Sequence, residues 1–128
     1  EAEQVAIVDG AQHGLAVTLM ALLRPGDVVA ADALSYAGFR VLADMRGVEL
    51  LSVPIGPQGT DVDALAQLCR TRPLRAVYAM PTLHNPLGCV MDEAARKRLV
   101  AVARAASAPS RPAMRRSNIC TVGLEKRA

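Results

Sequence analysis

The 128-residue sequence has few aromatic residues, with two tyrosines, one phenylalanine and no tryptophan. Apolar residues still make up 52% of the chain, enough for a hydrophobic core, which argues against intrinsic disorder. No apolar run approaches the ~18 residues that a membrane-spanning helix needs. The first residues also lack the basic-then-apolar order of a secretory signal. These absences predict a cytoplasmic protein that does not bind membranes.

Cysteine is also scarce, and its spacing excludes the common metal motifs. Cys69, Cys89 and Cys120 are far apart, form no Cys-x-x-Cys pair and have no histidine at metal-ligand spacing. The sequence therefore predicts no metal site, and buried or incidental free thiols are the favoured interpretation.

The net charge of +3 comes from one end of the chain. Residues 1–103 hold nine Lys/Arg and eleven Asp/Glu, a balance of −2, whereas residues 104–128 hold six Lys/Arg and one acid, a balance of +5. A basic tail can bind nucleic acid. This tail has no aromatic residue on which a base could stack, which argues against that function.

Strand-like and helix-like segments alternate through most of the chain. The predicted strands are residues 5–8, 28–31, 49–53 and 76–80, and the predicted helices are residues 11–24, 36–46, 61–72 and 92–105. Such alternation, with strands that are apolar on both faces, predicts an α/β fold with a parallel sheet. Residues 56–59 are interpreted as a loop. After Ala105 the pattern breaks at a Pro/Ser-rich linker, and no further strand is predicted.

Two loops after predicted strands carry candidate binding residues. Gly10, Ala11 and Gln12 follow the first strand and open a helix, where backbone N–H groups and the helix dipole favour an anion such as phosphate. A tight turn that needs a glycine explains the same residues. Tyr36 follows the second strand, where its ring could stack on a flat ligand or simply pack in the core.

The third loop follows the fourth strand and contains Asn85 in an Asn-Pro-x-Gly turn. Proline and glycine restrict and bend the backbone there, so the asparagine amide can be aimed at a ligand. In open α/β sheets, ligands bind at the carboxyl ends of the strands. The dipeptide Asn-Pro also occurs in ordinary turns.

Taken in order, these segments resemble the cofactor site of fold type I pyridoxal-phosphate enzymes, specifically the class I/II aminotransferases. The resemblance covers about residues 4–105 and is closest to the aminotransferase-like domain of MocR-type regulators of the GntR group. The motifs that carry it are Gly10-Ala11-Gln12-His13-Gly14-Leu15, Arg24-Pro25-Gly26-Asp27, Leu34-Ser35-Tyr36-Ala37-Gly38 and Pro81-Thr82-Leu83-His84-Asn85-Pro86-Leu87-Gly88.

The resemblance implies a role for each candidate residue. The backbone of Ala11 and Gln12, just after Gly10, would bind the phosphate of pyridoxal 5′-phosphate. Tyr36 would lie against its pyridine ring, and Asn85 would donate a hydrogen bond to its phenolate oxygen. His13 and His84 are interpreted as structural or supporting residues, because the proton shuttle of the family is a lysine.

That lysine has no counterpart here, so no catalytic residue is assigned. The chain's two lysines, Lys97 and Lys126, lie in no family motif. We therefore expect a truncated large domain over residues 1–105, and a basic, non-family tail over residues 106–128 that is disordered or frameshifted. The intact protein would be a homodimeric aminotransferase acting on an amino acid and a 2-oxo acid. Alternatively, it would be a regulator that binds DNA through a separate winged helix. A Rossmann-like domain is a third interpretation, which the absence of G-x-G-x-x-G disfavours.

Overall fold

The computed structural model describes residues 7–106 and 120–122. These residues form four helices and six strands, in which helices and parallel strands alternate as the sequence predicts. The helices are α1 Gly10–Leu22, α2 Ala37–Met45, α3 Val62–Thr71 and α4 Glu93–Ala106. The strands are β1 Val28–Asp32, β2 Glu49–Val53, β3 Ile55–Gly56, β4 Gly59–Thr60, β5 Leu74–Tyr78 and β6 Cys120–Val122.

Four of the strands form one parallel sheet in the order β2-β1-β5-β6. Alternate residues of β1 enter two separate hydrophobic cores, because successive side chains of a strand point to opposite faces. Val29 and Ala31 pack with α1 and α2, whereas Val28 and Ala30 pack with α3 and α4. The described residues therefore form a layered α/β structure, with helices on both faces of the sheet.

Local sequence signals explain the ends of several helices. The Asp61 carboxylate accepts hydrogen bonds from the N–H groups of Asp63 and Ala64 at 3.0 and 2.9 Å, and so caps α3. Asp92 caps α4 through the N–H of Ala95 at 2.7 Å. Gly47 follows Arg46, the C-cap residue of α2, and has φ +63°, a conformation that glycine adopts readily at the end of a helix.

Two predictions near the N-terminus and in the middle of the chain need correction. The predicted first strand, residues 5–8, lies partly outside the described residues. The described part, Ile7 and Val8, is not in a strand. The side chain of Ile7 is 98% exposed, and both edges of β1 are already paired. Residues 56–59, interpreted as a loop, are instead the tip of a two-stranded antiparallel hairpin formed by β3 and β4.

The prediction that no strand follows Ala105 is wrong. Strand β6 pairs in parallel with β5, from Ala76↔Cys120 to Tyr78↔Val122. A strand at the edge of a sheet presents unpaired N–H and C=O groups, and β6 satisfies those of β5. Its three residues are too few to show a hydrophobic pattern in a basic sequence. Within residues 7–106, no helix combines the length and apolar character needed to cross a membrane.

Candidate functional site

Two loops leave the sheet at the point where the order of the strands reverses. From β1 the chain proceeds to β2 on one side, and it later returns to β5 on the other side of β1. In open parallel sheets, ligands bind in the crevice outside the carboxyl ends of the strands at such a reversal. Tyr36 follows β1 and Asn85 follows β5, so both predicted residues lie on loops that border this crevice.

The ring of Tyr36 is joined to the first turn of α1. The half-buried side chain packs beside the core, and its hydroxyl donates a hydrogen bond to the side-chain oxygen of Gln12. Gly38 makes room for this contact, because a Cβ there would lie 2.5 Å from Gln12 Oε1 and from Tyr36 Cζ. Gly38 belongs to a motif identified in the sequence. Only the structure shows that the absence of a side chain there leaves space for the Tyr36 ring.

Helix α1 begins with an exposed, uncapped turn. Gly10 has φ +84°, a conformation that favours glycine. The carboxylate of Asp9 does not cap the helix, and the Asp9 N–H donates to His13 Nδ1 at 3.0 Å. The first turn contains no acidic residue, and Gly10, Ala11 and Gln12 are all exposed. Because the first N–H groups of a helix lack partners within the helix, this turn can bind an anion.

Asn85 lies in a turn whose backbone is closed on both sides. The N–H of His84 donates to the carbonyl of Cys89 at 3.0 Å, and the N–H of Gly88 donates to the carbonyl of His84. Gly88 has φ +67°, and the peptide bond from Asn85 to Pro86 is cis. The side chain of Asn85 is exposed. The turn therefore presents the Asn85 amide to solvent from a closed loop.

Arg96, which the sequence interpretation did not single out, anchors the base of this loop from α4. Its guanidinium donates to the carbonyl of Pro81 at 3.1 Å, to the hydroxyl of Thr82 at 2.8 Å and to the carbonyl of Met91 at 2.9 Å. The N–H of Met91 also donates to the carbonyl of Pro81 at 2.9 Å. Both ends of the loop are thereby held together.

A buried acid–imidazole pair lies beneath the Asn85 turn. His84 Nε2 is 3.3 Å from Asp32 Oδ2, and both side chains are 1% exposed. Burial raises the pKa of the Asp32 carboxyl, while the Thr60 hydroxyl and the His84 imidazole oppose that shift. Sequence analysis did not select Asp32. A carboxylate as the last residue of an apolar strand was the available signal.

Tyr78, the last residue of β5, lies next to this pair in the chain's interior. Its ring stacks on Phe39 with centroids 3.7 Å apart and planes 7° from parallel. Its buried hydroxyl has no hydrogen-bond partner in the described part of the chain. Burial raises the pKa of Tyr78 to about 12, with smaller contributions from Tyr36 and Asp32. The side chain of Tyr78 therefore belongs to the hydrophobic core formed with α1 and α2.

Lys97 lies on the solvent side of α4. Its ammonium group lies 2.6 Å from the Glu93 carboxylate, and the lysine side chain is 76% exposed. The other lysine, Lys126, lies outside the described residues. No lysine of the described residues is therefore in the crevice between the loops after β1 and β5.

The structure thus joins the predicted segments through specific contacts. Gln12 meets Tyr36 directly, and Tyr36 lies four residues after Asp32. The Asp32–His84 pair then links the loop after β1 to the turn that carries Asn85. Comparison with known proteins identifies the protein family. Residues 1–109 match the family described as aminotransferase class I and II. The chain belongs to this family.

Relatives of this aminotransferase-family chain include both regulators and enzymes. It is 29% identical over 104 residues to the HTH-type transcriptional regulator YjiR of Escherichia coli, covering 80% of this chain and 22% of the regulator. It is 35% identical over 98 residues to 2-aminoadipate transaminase of Thermus thermophilus, covering 77% of this chain and 25% of the enzyme. The chain spans about a quarter of the length of these relatives.

Solved structures agree on the fold. The alpha-aminoadipate aminotransferase of Thermus thermophilus, complexed with N-(5′-phosphopyridoxyl)-L-leucine, is 28% identical, with a TM-score of 0.76 over 89% of this chain and 26% of that one. An archaeal alanine:glyoxylate aminotransferase reaches 0.75 over 91% of this chain and 27% of that one, at 24% identity, which supports the fold alone. The predicted α/β class and the predicted family are both confirmed.

Proposed function

We propose that this chain is part of a domain that binds pyridoxal 5′-phosphate. In the whole protein, that domain would transfer an amino group between an amino acid and a 2-oxo acid. The observation that carries the proposal is the hydrogen bond from Tyr36 to Gln12, which brings an aromatic ring to the exposed start of α1. A flat ligand that bears a phosphate needs a ring surface beside an anion-binding helix start.

The side chains and backbone groups at the crevice suit each part of this cofactor. The N–H groups of Ala11 and Gln12 belong to an uncapped first turn that can hold a phosphate. The ring of Tyr36 offers a face to a pyridine ring. The exposed amide of Asn85 can donate a hydrogen bond to a phenolate oxygen. The carboxylate of Asp9 opposes phosphate binding, because it carries a like charge one residue before the helix.

These residues would bind and orient the cofactor rather than transfer protons. When bound, pyridoxal phosphate supplies the electron-withdrawing ring on which amino-group transfer depends. A hydrogen bond from Asn85 favours the charged form of the phenolate oxygen. Lys97 is paired with Glu93 in solvent and is unsuited to bond the cofactor covalently. We therefore expect the 128-residue chain alone to bind the cofactor weakly and to lack transaminase activity.

The second candidate function is that of an effector domain in a MocR-type transcription regulator. The similarity to YjiR over 104 residues favours it. In that case the bound cofactor would report metabolite status, and DNA would be bound only by a separate winged helix. A homodimer that completes the cofactor site and a cytoplasmic location are part of both proposals.

Binding of pyridoxal 5′-phosphate to the 128-residue chain tests the proposed site. Equilibrium dialysis would compare the wild type with Asn85→Ala and with Gln58→Ala, a matched control that removes an exposed amide from the β3–β4 turn. We expect Asn85→Ala to weaken binding by about tenfold, because hydrogen bonds to charged groups have that magnitude. Gln58→Ala should bind like the wild type.

Equal affinities of the two variants would contradict the assignment of Asn85. Strong visible absorbance of a lysine adduct in the wild-type chain would contradict the absence of a catalytic lysine. The coding sequence beside this segment separates the two functions. An upstream winged-helix segment would select the regulator, and a short arm followed by the aminotransferase domain would select the enzyme.

A further inference from the structure

The least explained feature of the crevice is the buried carboxylate of Asp32. Neither of its oxygens has a well-directed hydrogen bond in the described residues, although the side chain is 1% exposed and only the nearby Thr60 hydroxyl and His84 imidazole favour its charged form. Burying a carboxylate without hydrogen bonds is costly. His84 Nε2 lies 3.3 Å from the Oδ2 atom of Asp32. The position of this contact, directly beneath the Asn85 turn, suggests what the carboxylate does.

His84 connects the carboxylate to the turn through both its ring and its backbone. The N–H of Leu87 lies 3.5 Å from His84 Nδ1, which leaves the other ring nitrogen, Nε2, facing Asp32. The backbone of His84 bonds to Cys89 and Gly88, which closes the turn. The imidazole therefore contacts the turn through Nδ1 and the end of β1 through Nε2.

A second residue that holds this loop in place contacts a different part of it. Arg96 holds Pro81, Thr82 and Met91, which are the base of the loop. The segment that carries Asn85 contacts the sheet through the His84–Asp32 pair. Because Asn85 follows His84 directly, a shift of the His84 backbone would displace the Asn85 amide.

We propose that Asp32 is a positioning residue: through His84 it holds the Asn85 amide in the orientation that meets the phenolate oxygen of pyridoxal phosphate. This inference rests on the proposed function. Asp32 itself touches no part of the cofactor in this proposal, and its effect is confined to the contact that Asn85 makes.

Two ligands that differ only at the phenolate position isolate this effect. The probes are pyridoxal 5′-phosphate and its 3-deoxy analogue, in which a hydrogen atom replaces the phenolic hydroxyl group. For the full 128-residue chain we expect the analogue to bind about tenfold more weakly, because it cannot accept the Asn85 hydrogen bond. Asn85→Ala should abolish this discrimination, so that both ligands bind alike.

In Asp32→Ala, the affinities for pyridoxal 5′-phosphate and for the 3-deoxy analogue should differ by less than about twofold, while the affinity for the analogue stays at its wild-type value. The double variant Asp32→Ala/Asn85→Ala should match Asn85→Ala, because residues that act through one another are not additive. Asp44→Ala, which removes an exposed acid from α2, is the control and should behave as the wild type.

A second pair of variants avoids dependence on the folding of Asp32→Ala. His84→Gln keeps a side-chain donor toward Asp32 and should retain most of the discrimination, whereas His84→Leu should lose it. Folded Asp32→Ala or His84→Leu variants with wild-type discrimination would overturn this inference. If the wild type itself does not discriminate between the ligands, the proposed function fails first, which is a separate and recognisable result.

Discussion

The hydroxyl of Tyr36 donates a hydrogen bond to the side-chain oxygen of Gln12, across 24 positions of the sequence. This bond connects the loop after β1 with the first turn of α1, two segments that contribute different groups to the candidate cofactor site. The Tyr36 ring also packs beside the core formed by α1, α2 and the sheet. The orientation of the ring is therefore determined by the fold before any ligand binds, and substitutions that displace it should affect binding.

Gly38→Ala should weaken binding of pyridoxal 5′-phosphate by about tenfold, because the new Cβ would contact Tyr36 and Gln12 at 2.5 Å and displace the ring. The control is Gly14→Ala in α1, whose Cβ would meet only Val8, at 3.3 Å. Both substitutions improve helix propensity by about 1 kcal/mol, which separates the steric effect from the helical one. Equal affinities of the two variants, measured by dialysis, would show that the Tyr36 ring does not contribute to binding.

Asp9→Asn should strengthen the binding of inorganic phosphate and of pyridoxal phosphate by roughly fivefold at low salt, because it removes a negative charge beside the start of α1. The gain should shrink as ionic strength rises, since exposed charges are screened. Titration at two salt concentrations measures both effects, with Asp44→Asn on α2 as the control. An unchanged affinity would place the phosphate away from this helix.

Tyr78 should make the stability of the chain sensitive to alkaline pH. Burial raises its pKa from 10.0 to about 12 in the folded chain. A group whose pKa is raised by folding stabilises the fold below its unfolded pKa, and this contribution is lost as pH rises through the folded pKa. The free energy of unfolding, measured in urea relative to Tyr78→Phe, should therefore fall by about 2 kcal/mol between pH 10 and pH 12. A constant difference between the two proteins across that range would contradict the shift.

Leu65→Ala should lower the free energy of unfolding by about 2–5 kcal/mol, because it opens a cavity between α3 and the sheet. Leu65 is 0% exposed and belongs to the core shared by α3, α4 and the strands. The control Met45→Ala changes a side chain that is 76% exposed and should cost less than about 0.5 kcal/mol. Urea unfolding of both variants measures the difference. Similar losses would mean that α3 does not pack on this core.

Much of the fold was predictable from the sequence because its signals are local. Apolar runs predicted β1 and β2, and the predicted helices 61–72 and 92–105 begin at Asp61 and Asp92, which cap α3 and α4 in the structure. Short pairings were not predictable in this way. Strands β3 and β4 have two residues each, too few to show a period, and the three-residue β6 depends on a partner, β5, from a distant part of the chain.

In the candidate site, too, residues with local sequence signals were predictable, and roles that depend on distant contacts were not. Gly10, Tyr36 and Asn85 could be selected from the sequence, because a glycine before a helix, an aromatic ring in a loop and an Asn-Pro turn each have local signatures. The role of Gly38 as a space for the Tyr36 ring could not be selected, because it depends on where Gln12 lies.

The sequence by itself determined the alternation of the four helices with β1, β2 and β5, the turn chemistry around Asn85 and the family to which the chain belongs. Only the tertiary structure decided that β1 lies between β2 and β5 and that Asp32 meets His84 52 positions later in the chain. The physical reason is that strand order and buried charge pairs arise from contacts between distant segments. Such contacts leave no periodic or local signal in the segments that make them.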